Sequence, residues 1–228
     1  MVINSKIPVI TVDGPSGGGK GTLSHMLAKT LGWHFLDSGA LYRVLALAAF
    51  RHSVAFDNHH ALAVLAGHLD VIFKHNPQQI LLEGQDVTLA IRTEECGSGA
   101  SQVAAVPAVR TALLERQRAF LELPGLVADG RDMGTVIFPE ADLKIFLEAS
   151  PQERAKRRQL QLKQQGIDVS LDGLFAEIEK RDARDKERSV SPLVPAHDAI
   201  VLDTTHMPIN AVFEKVMMYV HERNLAEA

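Results

Sequence analysis

The stretch GPSGGGKGT, residues 14 to 22, constrains this chain more than any other. It follows the apolar run Ile7 to Val12 and precedes an amphipathic segment, so main-chain N–H groups and the positive end of a helix dipole converge on one point. Such a point holds a phosphate. Val9 to Val12 is uninterrupted and rich in β-branched residues, which suits a strand buried on both faces of a parallel sheet. A glycine-rich surface turn is the alternative, but the strand before, the helix after and Lys20 in place speak against it.

A chain of 228 residues with 46% hydrophobic residues can bury a full core, and one domain with inserts is the simplest organisation. The formal charge of −4 argues against a sequence-independent grip on nucleic acid polymers, so any basic site must be local. Met1 to Pro8 carries no export signal and no run approaches a membrane span, so a soluble, cytoplasmic protein with no membrane partner is expected. Cys96 stands alone, which fits a reducing compartment and leaves no intrachain disulfide. The spacing of His52, His59, His60 and His68 matches no zinc pattern, and we read them as surface residues.

After the cradle, Leu23, Met26, Leu27 and Leu31 fall at helical spacing, and Gly32 is placed to end the helix. Phe35 and Leu36 predict a second strand, followed by DSGALYR, in which Asp37 and Ser38 are candidate helix caps and Arg43 sits on the next turn. HLDVIFK, QQILLEG and QDVTLAIR, broken by Asn76-Pro77 and Gly84, predict an antiparallel meander in an insert. Thr93 opens a helical region through Val106, and Pro107 starts another. The strand Leu126 to Ala128 ends in ADGRDMG, whose Asp129, Arg131 and Asp132 are site candidates or a self-paired turn. Leu143 to Leu147 is another buried strand, and Ser150 to Glu153 reads as a capping box. Arg154, Arg157 and Arg158 share one face of the helix that follows, which Gly166 breaks. In the next helix Arg181, Arg184 and Arg188 share a face. There Arg181 with Asp185, and Asp182 with Lys186, are equally consistent with four-apart pairs on a solvated surface. Ala199 to Leu202 gives the last strand and Pro208 starts the terminal helix. Five central parallel strands are expected near residues 9, 35, 127, 145 and 201.

The cradle resembles the P-loop pattern GxxxxGK[ST], with Gly14, Gly19 and Lys20 in register, but the hydroxyl arrives one place late, at Thr22 after Gly21. GKGT is the ending found in nucleoside monophosphate kinases. With LDSGALYR, ASQVAA, ADGRDMGTVIFP and RDARDKER following in order, nearly the whole chain resembles the bacterial cytidylate kinases, which phosphorylate CMP and dCMP from ATP. The resemblance implies an α/β P-loop nucleoside monophosphate kinase fold: a five-stranded parallel sheet flanked by helices, with an insert carrying a small antiparallel sheet and a helical lid. It would be one domain, 1–228, with core segments near 1–40, 106–150 and 189–228, the nucleotide-binding insert near 41–105 and the lid near 151–188.

Phosphate-to-phosphate transfer needs cancellation of charge repulsion more than a base, and an arginine-rich chain meets that need. Gly14, Pro15, Ser16, Gly17, Gly18, Gly19, Lys20, Gly21 and Thr22 would hold the ATP phosphates, and Arg154, Arg157 or Arg158 would close over the transferred group. Lys20, Arg131, Arg158 and Arg188 are the catalytic candidates. Arg43, Arg131 and Arg188 would grip the acceptor phosphate. The resemblance adds Ser38 in the acceptor site, Asp132, Ser101 and Arg110 at the base, and Arg181 and Asp185 at the sugar. Magnesium would accompany ATP, with Thr22, Asp37 and Asp129 acting through water. A monomer acting on ATP and CMP or dCMP is expected. A shikimate-type kinase with Asp37 or Asp129 as base is the nearest alternative. A regulatory GTPase would need an NKxD signature, which the chain lacks.

Overall fold

The computed structural model describes residues 6–75, 78–164 and 166–227. The predicted break at Asn76-Pro77 and most of Met1 to Pro8 lie outside them. Two compact units are present, Met1–Asp37 with Arg118–Ala228, and Ser38–Gln117. No helix among the described residues is long and apolar enough to cross a membrane.

The first unit holds a five-stranded sheet built from β1 (Val9–Asp13), β2 (His34–Asp37), β6 (Leu126–Asp129), β7 (Leu143–Glu148) and β8 (Ile200–Asp203). Its order is β2-β6-β1-β7-β8 and every pairing is parallel. All of β1 and β6 is buried, as interior strands covered on both faces must be, whereas β8 at the edge keeps Val201 and Asp203 exposed. Helices α1 (Lys20–Leu31) and α8 (Ile209–Glu222) pack Leu23, Leu27, Val212 and Val216 into the core with Ile10, Val127 and Ile145. Trp33 belongs to that core, and a Cβ at Gly125 would lie 2.4 Å from its ring, so the indole sits flat against glycine backbone. Two further helices, α6 (Pro151–Gln164) and α7 (Leu171–Glu187), bury Ala155, Leu162, Leu174 and Ile178 in a small cluster of their own.

The second unit contains α2 (Ser38–Arg51), α3 (His59–Gly67), α4 (Glu94–Val103) and α5 (Pro107–Arg118, of which Arg118 falls in the first unit), with the antiparallel sheet β3 (Val71–His75), β4 (Gln78–Leu82) and β5 (Gln85–Asp86). Its core gathers Leu41, Leu45, Leu62, Leu82, Val103 and Leu113. The third predicted strand, QDVTLAIR, is cut to two residues. Asp86 Oδ1 accepts from Thr88 N at 2.9 Å and Thr88 Oγ1 takes the Ile80 amide at 2.9 Å, so local side-chain bonds replace the ladder, and Ala90–Arg92 forms a 3₁₀ turn. Thr93 caps α4 by accepting from Cys96 N, as the sequence anticipates. His52, His59, His60 and His68 are exposed and Cys96 is buried.

Candidate functional site

The loop between β1 and α1 is shaped by glycines that no other residue replaces without strain. Gly14, Gly17 and Gly19 have φ of +143°, +76° and +89°. A Cβ at Gly14 would lie 2.2 Å from the Leu147 carbonyl oxygen, so β7 backbone fills the space a side chain needs. Gly19 caps α1 with no side-chain bond, which leaves the helix N-terminal amides open to an anion. Lys20 is 6% exposed, donates to Pro15 O at 2.9 Å and stands 3.9 Å from Asp129 Oδ1. Burial, helped by the Arg131 charge, lowers the Lys20 pKa, while Asp129 opposes the shift. Burial likewise raises Asp129, with Asp37 adding to the rise and Lys20 opposing it. A phosphate bound beside Lys20 would favour its charged form. At the position where the hydroxyl is usual, a Cβ on Gly21 would lie 3.3 Å from Asp129 Oδ2, a tight approach to that carboxylate.

Beside the loop opens a cleft of about 810 Å³, lined by Gly17, Gly18, Thr22, Arg157, Arg158 and the segment Thr204–Ile209 among others. Arg157 Nε donates to Glu153 Oε1 at 3.0 Å, and its Nη2 donates to Thr204 O at 2.6 Å. The Ser150 hydroxyl takes the Glu153 amide at 3.2 Å, half of the predicted capping box, while the Glu153 carboxylate goes to Arg157. Arg158 Nη1 donates to Gln161 Oε1 at 2.9 Å. Thr204–Ile209 carries no charge or glycine signal and sequence reasoning missed it. Its place directly after β8, running through Pro208 into the start of α8, was the available clue.

The loop after β6 is held from β1. Asp13 Oδ1 and Oδ2 accept from Met133 N and Gly134 N at 2.9 and 2.8 Å, and burial raises the Asp13 pKa to about 6 against the pull of those two bonds. A π-helical turn, Met133–Ile137, follows and buries Asp132 at 3% exposure. Arg131 Nε donates to Asp185 Oδ2 at 2.9 Å. Burial alone would lower the Arg131 pKa, but Asp185, joined by Asp129 and Asp182, outweighs it and the net direction is up. Burial would raise Asp185, yet Arg131, Arg181 and Arg188 together hold it below the ordinary carboxylate range. Asp185 and Asp182 also make contacts between elements: Asp185 reaches Arg131 and Asp182 reaches Arg154. α7 ends at Glu187 and Arg188 is its C-cap: its φ of −56° is still helical, its ψ of 132° turns the chain that follows, and the residue is 9% exposed.

Arg154 differs from the two arginines with which it shares a helix face. It is 2% exposed, with Nε on Ala149 O at 3.0 Å, Nη1 on Ser16 O at 3.0 Å, and both terminal nitrogens on the Asp182 carboxylate. It does not line the 810 Å³ cleft.

In the second unit, Ser38 Oγ donates to Gln117 Oε1 at 2.7 Å, and Arg43 Nη1 donates to Ile91 O at 3.0 Å. A Cβ at Gly97 would come within 3.1 Å of that guanidinium nitrogen, so this glycine, which the sequence did not single out, makes room for Arg43. Arg110 is buried over the Tyr42 ring, 5.7 Å from its centroid, and donates to Ala104 O at 3.2 Å; Ser101 is 4% exposed.

Comparison with known proteins bears on these arrangements. A family model described as "Cytidylate kinase" matches residues 10–222. The cytidylate kinase of Pseudomonas syringae pv. tomato is 61% identical over 225 residues, 97% of this chain and 98% of that protein. The cytidylate kinase of Pseudomonas aeruginosa strain LESB58 is 60% identical over 221 residues, covering 95% and 96%. Among solved structures, a gluconokinase from Sinorhizobium meliloti 1021 aligns with a TM-score of 0.46 and 15% identity over 96% of this chain and 94% of that one, too distant to bear on activity. With a family model spanning nearly all of it and relatives at such identity, the chain belongs to the cytidylate kinase family.

Proposed function

We propose that the chain transfers the γ-phosphoryl group of ATP to CMP or dCMP, giving CDP or dCDP and ADP. The observation that carries this beyond family membership is a pair of loops leaving the carboxyl ends of neighbouring strands β1 and β6, one built to bind phosphate and the other rich in charged side chains. Lys20 and the loop amides from Gly14 to Thr22 hold the donor phosphates. Arg157 and Arg158 face the donor from the cleft, and Arg158 meets charge developing on the transferred group. Arg43, Arg131 and Arg188 grip the acceptor phosphate with Ser38, each guanidinium spanning two oxygens. An acceptor phosphate attacks without losing a proton, so no base is assigned.

Cytosine offers an amino donor and two acceptors. Asp132 would accept from the amino group, while Arg110 and Ser101 donate to the acceptors. Uracil would leave those groups mispaired, a device able to discriminate by ~10⁴. Arg181 and Asp185 take the sugar. Thr22, Asp37 and Asp129 offer oxygen only, and register places Asp37 beside Asp129 on adjacent strands, a hard donor set that suits magnesium through water. When bound, magnesium neutralises charge on the donor phosphates. We take the enzyme to be a cytoplasmic monomer acting on free nucleotides.

An assay of ADP release over CMP, dCMP, UMP, AMP and shikimate tests this. Turnover of CMP and dCMP is expected to exceed the others by orders of magnitude, and strong shikimate turnover with CMP inert would overturn the assignment.

A further inference from the structure

Arg154 is buried, its partner Asp182 is half-buried, and both are charged and absent from the lining of the donor cleft, which raises the question of what they hold. A buried ion pair is seldom the most stabilising choice, since well-packed apolar residues of similar volume do as well or better. Its geometry here points elsewhere. Arg154 Nη1 takes the Ser16 carbonyl at 3.0 Å, at the outer turn of the donor loop. The Ser16–Gly17 peptide is trans, so the carbonyl and the Gly17 N–H point in opposite directions across one rigid plane. Drawing the oxygen toward Arg154 therefore turns the Gly17 N–H away from Arg154, and Gly17 lines the cleft. Close approach of the two residues supports this clamp: a Cβ at Gly17 would lie 3.2 Å from Arg154 Cβ and 3.4 Å from the Arg154 carbonyl oxygen. Asp182 fixes the guanidinium from the other side through both carboxylate oxygens. It belongs to α7, one turn before the Asp185 that pairs with Arg131.

We propose that Arg154 is a positioning residue for the donor loop, aiming the Gly17 amide at the donor phosphates, and that Asp182 makes this aim depend on the seat of α7. The inference rests on the ATP-donor role proposed above. It removes Arg154 from the set of arginines that meet the transferred group and leaves that work to Arg157 and Arg158. Among the described residues the hydrogen bonds of the Asp182 carboxylate go to Arg154, so its effect on the donor passes through Arg154.

The test is calorimetric binding of a non-hydrolysable ATP analogue with magnesium, and separately of CMP, to the full chain and its variants. Asp182→Asn keeps shape and removes charge. The pair Arg154→Met with Asp182→Leu removes the strut without stranding a buried charge, and Arg154→Lys serves if that pair fails to melt cooperatively. Each variant is expected to weaken the ATP analogue about tenfold while the Kd for CMP alone stays within twofold. Folded variants that bind the analogue as the wild type does would overturn the strut, as would equal weakening of both nucleotides, the mark of general loosening. A wild-type chain that binds CMP but no ATP analogue would instead sink the donor assignment itself.

Discussion

The two loops that leave β1 and β6 emerge from adjacent parallel strands and solve opposite problems. The first works through main chain: positive φ at Gly14, Gly17 and Gly19, open helix amides, and one lysine. The second works through side chains and leans on residues from elsewhere: Asp13 accepts from the main-chain N–H groups of Met133 and Gly134, and Asp185 answers Arg131. A main-chain device is written locally, because only glycine fits the dihedral angles. A side-chain device is distributed, because a buried charge is tolerable only where distant residues answer it.

That contrast can be broken by experiment. Lys20→Ala removes the one charged side chain of the donor loop, and kcat/KM for CMP phosphorylation is expected to fall about 10³-fold, some 4 kcal/mol, in line with loss of a preorganised charge. Near-normal turnover would show that the loop needs backbone alone. Gly14→Ala forces a Cβ against the Leu147 carbonyl and is expected to lower unfolding stability by about 3 kcal/mol in a denaturant titration. A neutral result would mean that this glycine is dispensable. Asp132→Asn should leave stability nearly unchanged while narrowing the CMP over UMP preference about 10²-fold. Unaltered selectivity would move base recognition to another residue. Arg157→Met is expected to raise KM for ATP about tenfold with little change for CMP, and parallel changes in both would remove Arg157 from the donor side.

What could be read from sequence follows the same division. The cradle, the helix after it and the five parallel strands were legible because their signals lie within a few consecutive residues, apolar runs for strands buried on both faces and glycines for the loop. QDVTLAIR kept its β-type composition yet turned after two residues, since Asp86 and Thr88 offered the backbone nearer partners. Asp182 and Asp185 had plausible cations four places away, and only the fold shows that they also reach Arg154 and Arg131. Arg154, Arg157 and Arg158 looked equivalent by spacing. Burial separates them, and burial of one side of a polar helix depends on what packs there, which periodicity does not report. Thr204–Ile209 carries no residue type that announces a site, so its role emerges from position at a strand end.

Trp33 offers a practical consequence. It is the single tryptophan of the chain and is locked against Gly125 in the core of the first unit, where Tyr219 also packs, whereas Tyr42 belongs to the core of the second. Selective excitation of the indole therefore watches one unit and is blind to the other. A melting curve followed by tryptophan emission, overlaid on one followed by backbone circular dichroism, would show whether the two units come apart together or in turn.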